Sequence, residues 1–342
     1  MATIEAIDQR LRSFFGGEAD RWGRRHPQLH DLVATVGGFV AHGGKRLRGS
    51  FCIAGWRAAG GQGDGGAVVD VAAALELLHA FALIHDDVMD GAACRRGRPA
   101  LHRQLQCQYV AAGGTGDARR YGEGLAVLVG DTALAWADLI LAPHRPAVGA
   151  IWDELRVELT MGQYLDVVTA SAPPAAAGTA ALVGLLKSAR YTVTRPLQLG
   201  AAVAGAGAPV VEAMASFGDP VGEAFQMRDD LLGVFGDPAV TGKPAGADLR
   251  EAKTTLLLEV ARHRAPATGR ALLARVGSPD LTDADIDRLR ELFVNCGALA
   301  SVEQAICQRL QAAARALESS AVAGRERERL LALAGAAAWR AA

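Results

Sequence analysis

The chain has 342 residues, half of them hydrophobic and 5% aromatic, with a formal net charge of −1. Its length suits one large helical domain or two modest ones. The charge balance excludes a global basic field of the kind that draws nucleic acid or an anionic membrane, so any anion binding must come from local clusters of Lys and Arg.

The first fifteen residues, Met1 to Phe15, lack a basic start followed by an apolar core and do not read as a signal peptide. No apolar run of about 18 to 20 residues is evident, so no transmembrane segment is expected and a soluble, cytoplasmic protein is. Abundant Ala and Leu favour helices. Apolar residues at helical spacing predict helices over Val68–Asp90, Leu125–Leu141, Trp152–Val168, Ala180–Leu199 and Val210–Leu232. Gly, Pro and Asp clusters place loops at Ala58–Gly66, Ala112–Arg120, Ser171–Gly178 and Gly236–Asp248. There is no alternating strand pattern and no repeat of fixed period. The expectation is an all-α protein, a single domain over residues 1–342, with a ligand cavity between its helices. The five cysteines form no CxxC pair and read as reduced, structural thiols.

Three segments carry chemistry. His42-Gly-Gly-Lys-Arg-Leu-Arg48 sets cations behind a Gly-Gly pair that permits close backbone approach; it lacks the GxxxxGK[ST] spacing of a P-loop. The largely apolar segment Leu75 to Asp90 ends in Asp86, Asp87 and Asp90. Asp86 and Asp90, four apart, share a helix face about 40° from one another, at the helix end where the dipole disfavours negative charge. Such an arrangement calls for a compensating cation, and hard oxygen ligands with room for water and phosphate suit Mg²⁺. Three arginines follow at once in Cys94-Arg-Arg-Gly-Arg-Pro99; guanidiniums beside metal-holding carboxylates make a diphosphate site. Phe225-Gln-Met-Arg-Asp-Asp230 repeats the acidic helix end, with Lys243 and Lys253 beyond it in and after a Gly/Pro loop. Two helices presenting carboxylates inward build a polynuclear metal site in a bundle, and the lysine loop is placed to close over phosphates.

In this order, GGKRLR (Gly43–Arg48), HAFALIHDDVMD (His79–Asp90), RRGRP (Arg95–Pro99), GQYLD (Gly162–Asp166) and FQMRDD (Phe225–Asp230) resemble the trans-polyprenyl diphosphate synthase family. Lys187-Ser-Ala-Arg-Tyr-Thr192 resembles its Lys-Thr region. The resemblance implies a helical bundle of the isoprenoid synthase type with a central active-site cavity, and a homodimer. It implies that Asp86 and Asp90 bind two Mg²⁺ and Asp229 a third. Arg95, Lys187, Gln226, Lys243 and Lys253 would hold the allylic diphosphate. Lys45, Arg48, His79 and Arg96 would hold isopentenyl diphosphate, with Asp87 and Asp230 as supporting carboxylates. Phe81 and Ala82, before the first acidic motif, would set product length, and by similarity they favour geranylgeranyl over farnesyl diphosphate.

Three positions depart from the family pattern: Gly49 for Pro, Ser188 for Thr with the hydroxyl kept, and Gly233 for the last Asp of the second acidic motif. Asp237 is the sequence's candidate to compensate for Gly233. The implied reaction ionises the allylic diphosphate, condenses the cation with isopentenyl diphosphate and eliminates a proton to the departed pyrophosphate. Lys187, Ser188 and Gln226 would offer oxygens or dipoles near the cation, and His85 reads as a helix-end hydrogen-bonding residue, not a base. A class I terpene cyclase shares DDxxD but not the isopentenyl-binding cations. A non-catalytic partner subunit would be expected to lose site residues that this chain keeps. A head-to-head synthase does not suit GGKRLR or the Arg95–Pro99 loop.

Overall fold

The computed structural model describes residues 2–42, 44–170, 178–237, 246–320 and 322–339. It is helical almost throughout, and divides into one compact unit of residues 1–150 and 196–211 and a second of residues 151–195 and 212–342.

In the first unit, α1 (Ile4–Gly23) starts where the Thr3 hydroxyl accepts the Ala6 N–H, and buries Ile7 and Leu11 at i, i+4 spacing. Next come α2 (Pro27–Ala41), opened by Pro at its first position, and α3 (Leu47–Ala58). Then α4 (Gly66–Met89) runs through the middle, packed against α1, α2 and α3 and against α5 (Leu101–Ala111) and α6 (Ala118–Leu141). Because α4 has neighbours on all sides, Val71 to Leu78 is buried without interruption, which is the pattern of a helix apolar all round. Leu75, Leu77 and Leu78 are fully buried, each contributing about 1.5–3 kcal/mol; Leu77→Asp would place an unpaired charge in the core. Two-residue strands β1 (Cys94–Arg95) and β2 (Arg98–Pro99) pair antiparallel across Arg96-Gly97, a hairpin too short for any alternation to show in the sequence.

The second unit contains most of α7 (Arg145–Ala170), α8 (Thr179–Val183), a π-helix over Gly184–Thr194 and most of α10 (Ala208–Phe235). The chain between the π-helix and α10 is α9 (Arg195–Val203), nearly all in the first unit. After α10 come α11 (Ala247–Arg250), α12 (Leu256–Arg264), α13 (Ala267–Leu273), α14 (Asp283–Asn295), α15 (Ala298–Glu318) and α16 (Gly324–Ala338). Leu257, Leu258, Leu289, Phe293, Val302 and Ile306 form its core. A capping box, Thr282 with Asp285, starts α14.

The expectation that no stretch is long and apolar enough to cross a membrane does not hold by length and composition. Residues 66–89 (24 residues) and 118–170 (53 residues) both qualify. Their few charged residues interrupt the apolar runs in sequence without breaking the helices. The most apolar stretch of α4 is 67% buried, the behaviour of a core helix.

Candidate active site

The residues assigned from sequence divide between the two units. In the first, the turn into α3 is built on Arg46. This residue caps the helix in the left-handed region, φ 50°, which costs a non-glycine residue about 1–2 kcal/mol. Its buried guanidinium offsets that cost. Nε donates to Asp8 at 3.0 Å, Nη1 to Glu76 at 3.0 Å and Nη2 to the Val40 carbonyl at 2.9 Å. With Arg46 anchored inward, Lys45 is exposed and Arg48 half-buried. In the hairpin, Arg96 also adopts positive φ, 54°, and Nη1 donates to the His42 carbonyl at 3.1 Å. The GGKRLR and RRGRP motifs are therefore one surface.

On α4, that surface contains His79. Burial, then the charges of Arg48, Arg96, Arg95 and Arg46, hold its imidazole well below the ordinary value. Burial, then Arg95, also lowers Arg96. Guanidiniums crowded around a neutral imidazole repel one another, and an anion relieves that repulsion. Arg48, Arg96, Arg95 and Arg46 thus make one cationic cluster around His79, while Lys45, exposed on the turn before α3, is not among the charges that act on it.

Two turns further, the hairpin ties Arg95 to the acidic end of α4. Arg95 Nη2 donates to Asp86 at 3.1 Å and to Asp87 Oδ1 at 2.6 Å, and Nε donates to the same Oδ1 at 2.9 Å. Burial opposes the charge on Arg95, but Asp87 and Asp86 outweigh it and keep the guanidinium more firmly protonated than usual. Asp87 is 1% exposed; burial raises its proton affinity more than Arg95 lowers it, and its Oδ2 has no partner. Asp90 caps α4 and is exposed. Lower on the helix, Phe81 packs on the His85 ring, centroids 4.6 Å apart, while His85 Nε2 donates to the Val127 carbonyl of α6 at 3.1 Å.

In the second unit, the GQYLD motif lies on α7 against the π-helix. A β-carbon at Gly162 would stand 2.5 Å from the Lys187 backbone nitrogen, so only glycine permits that approach. Asp166, one turn later, accepts Lys187 Nζ at 2.5 Å. The π turn widens the helix at Lys187 and Ser188, a deviation that favours functional sites. On α10, Gln226 Nε2 donates to Asp230 Oδ1 at 2.6 Å and Asp229 is exposed. Burial, then the negative charges of Asp248 and Asp229, push Asp230 well above the carboxylate range. Lys253 Nζ bridges Asp248 at 3.2 Å and Glu251 at 3.0 Å. Lys243 lies outside the described residues.

At Gly233 it is Asp248, not Asp237, that supplies a carboxylate: a β-carbon there would run into Asp248 Oδ2, while Asp237 is exposed. The sequence held no clear sign of this, since Asp248 lies fifteen residues on, past the lysine loop. Arg46, Asp166 as the partner of Lys187, and His102 were likewise not singled out.

Among the described residues no three His, Cys, Asp or Glu side chains are pre-assembled around a metal position. The donors present fit Mg²⁺ nonetheless. They are hard carboxylate oxygens, and at Asp230 the negative charges of Asp248 and Asp229 outweigh the positive charge of Lys253. Sites with one or two carboxylates per ion leave coordination positions for water and phosphate oxygens, the usual Mg²⁺ arrangement.

Carboxylates on α4 and α10 that suit Mg²⁺ and a guanidinium cluster that suits an anion are the chemistry a diphosphate calls for. Residues 31–293 match the polyprenyl synthetase family model, and the chain belongs to that family. It is 34% identical over 289 residues to a geranylgeranyl diphosphate synthase of Mycobacterium tuberculosis, covering 80% of this chain and 75% of that one. It is 33% identical over 269 residues to a geranylfarnesyl diphosphate synthase of Aeropyrum pernix, covering 76% and 78%. A geranylgeranyl pyrophosphate synthase from Corynebacterium glutamicum, solved with isoprenyl diphosphate and magnesium, superposes with a TM-score of 0.93 at 36% identity over 98% of both chains. The protein is a short- or medium-chain trans-prenyl diphosphate synthase, a prenyltransferase.

Proposed function

We propose that the protein condenses isopentenyl diphosphate with allylic diphosphates, dimethylallyl, geranyl or farnesyl, to give geranylgeranyl diphosphate as its main product. The observation that carries the substrate assignment is the cluster of guanidiniums around the neutral His79 imidazole, a concentration of positive charge that suits a diphosphate. For product length, support comes from the small Ala82 one turn before Asp86, with Phe81 beside it, and from similarity to geranylgeranyl synthases.

In this reading Lys45, Arg48, His79 and Arg96 bind isopentenyl diphosphate, and Arg95, Lys187, Gln226, Lys243 and Lys253 bind the allylic diphosphate. Asp86, Asp90 and Asp229 would hold Mg²⁺, three ions in all. Mg²⁺ bound there neutralises the allylic diphosphate and makes it a better leaving group. The allylic C–O bond breaks, the isopentenyl double bond supplies the electrons of the new C–C bond, and the released diphosphate takes the proton lost on elimination. Lys187, Ser188 and Gln226 offer oxygens or dipoles near the allylic cation.

The working form is a symmetric homodimer. Its support is apolar surface on α6, where the exposed Leu128 and Leu139, eleven residues apart, fall on one helix face with Val127 exposed beside Leu128. Incubating the protein with labelled isopentenyl diphosphate and each allylic primer, then separating products by chain length, tests the assignment. A main product of farnesyl length would replace geranylgeranyl with the activity named for the 32%-identical mycobacterial farnesyl synthases. No condensation with any primer would remove the reading altogether.

A further inference from the structure

Behind the acidic end of α4 lies a polar pair that the reaction above leaves without a task. His102 sits on the first turn of α5, immediately after the hairpin, and is 2% exposed; neither Nδ1 nor Nε2 has a hydrogen-bond partner. Asp87 is 1% exposed, and while its Oδ1 accepts Arg95 twice, its Oδ2 has none. The Ala92 and Ala100 backbone bonds bring the end of α4 and the start of α5 together at the foot of the hairpin, and each side chain lies within electrostatic reach of the other. Burial, then Arg103, keeps His102 below its ordinary value and so neutral, with one ring N–H to donate and one nitrogen to accept.

The frame around the pair is closed by backbone. The Ala92 N–H donates to the Asp87 carbonyl at 2.9 Å, the Ala100 N–H to the Ala93 carbonyl at 3.0 Å, and Gln104 Nε2 to the Pro99 carbonyl at 2.6 Å. On the far side α6 presses on α5: a β-carbon at Gly122 would run into the His102 carbonyl oxygen. His102 is thus held in place with its ring enclosed. Buried polar groups in native proteins are almost always hydrogen-bonded, often through an enclosed water making two to four bonds.

We infer that His102 donates to Asp87 Oδ2, through one enclosed water, and is thereby the positioning residue for the Arg95 fork. The chain of contacts runs from His102 to Asp87, from Asp87 to Arg95, and from Arg95 to Asp86. Fixing Oδ2 leaves Oδ1 turned to the guanidinium and holds Arg95 against Asp86. This rests on the proposed roles of Arg95 and Asp86 at the allylic diphosphate. His102 touches neither substrate, so its effect must be selective for the substrate that Arg95 serves.

Kinetics and imidazole NMR together test this. His102→Leu, which keeps volume and removes both nitrogens, should raise KM for the allylic diphosphate and the Mg²⁺ requirement about tenfold, as loss of an outer hydrogen-bond partner does. KM for isopentenyl diphosphate should stay within about twofold. His102→Asn, whose amide nitrogen takes the place of Nδ1, should recover most of the loss. In the unmodified protein, long-range proton–nitrogen spectra should show His102 as a single neutral tautomer with a slowly exchanging ring N–H, and Asp87→Asn should shift that signal. A mobile or rapidly exchanging ring, or a signal indifferent to Asp87→Asn, would overturn the contact even if His102→Leu failed to fold. An equal loss on both substrates, no rescue by Asn, or no loss at all would overturn the positioning role. If the unmodified protein made no prenyl product while the ring signal behaved as expected, the functional reading would fail and the contact would stand.

Discussion

The carboxylate of Asp248 occupies the space that a β-carbon on Gly233 would need. On the sequence alone Gly233 is a lost outer carboxylate, with Asp237 the candidate to compensate for it. The structure reverses that expectation. An added side chain must displace a buried carboxylate that is bridged to Lys253 and acts on Asp230. Gly233→Ala and Gly233→Asp should each cost about 1–3 kcal/mol by overpacking and impair turnover, whereas Asp237→Ala should do neither. Denaturant unfolding and condensation assays check both. Wild-type behaviour of Gly233→Asp would show that Asp248 moves aside freely.

The carboxylates at the helix ends give a second prediction. Asp86→Ala, Asp90→Ala and Asp229→Ala each remove a proposed Mg²⁺ ligand and should lower turnover by about a hundredfold or more. Asp86→Ala also releases one contact of the Arg95 fork. Incorporation of labelled isopentenyl diphosphate measures the loss, and near-normal incorporation in any of the three would withdraw that residue from the metal assignment.

His79 supplies the pH dependence. Its folded form resists protonation because of burial and the surrounding guanidiniums, while in the unfolded chain the imidazole protonates near its ordinary value, about 6.5. The unfolded state therefore binds more protons below that pH. Stability should be full above about pH 6.5 and fall as pH drops below it, by up to about 1.4 kcal/mol per pH unit for this one group. His79→Gln should flatten the slope between pH 6.5 and 5. Inorganic pyrophosphate should flatten it in the parent, because an anion in the cluster lets the imidazole protonate. Thermal melts across that range, with and without pyrophosphate, decide the matter.

Much of this site is readable in the sequence because it is written in short motifs on strongly periodic helices. Asp86 and Asp90 share a face by spacing alone, and α4 ends one residue before Asp90, where the prediction ends it. What was not readable depends on contacts between segments distant in sequence. Arg46 stands between two proposed ligand residues, but its guanidinium reaches Asp8 and Glu76, 38 and 30 residues earlier and later. The π-helix was expected as ordinary helix, because its pattern fits either form over a few turns. The hairpin at Cys94–Pro99 was missed because two-residue strands have no period.

The apolar face of α6 leads to a fourth prediction. Leu128 is 57% exposed beside Val127, and if a second copy covers it, Leu128→Arg should yield a monomer at micromolar concentration while the unmodified chain scatters light as a dimer. An unmodified chain that runs as a monomer would count against the homodimer, and the exposed face would need another occupant.

Product length provides the last prediction, and here the structure sharpens what the sequence leaves open. Ala82 and Asp86 are one turn apart on α4, so a chain growing from a diphosphate at Asp86 meets Ala82 first. By helix geometry Phe81 is turned about 140° from Asp86, and its ring lies against His85, whose Nε2 is fixed on the Val127 carbonyl of α6. Phe81 is thus braced on the side of α4 that faces α6. A floor made by a braced ring should yield only when the ring is removed. Ala82→Phe adds an aromatic ring where the chain first passes and should shorten the main product to farnesyl length. Phe81→Ala removes the braced ring and should lengthen the product beyond geranylgeranyl. His85→Ala, which keeps Phe81 but removes its brace, should broaden the product distribution without shifting its maximum. Chain-length analysis of the three variants with farnesyl diphosphate and with dimethylallyl diphosphate as primers checks this. Parent-like spectra at parent-like rates from both Ala82→Phe and Phe81→Ala would mean that α4 does not measure the chain.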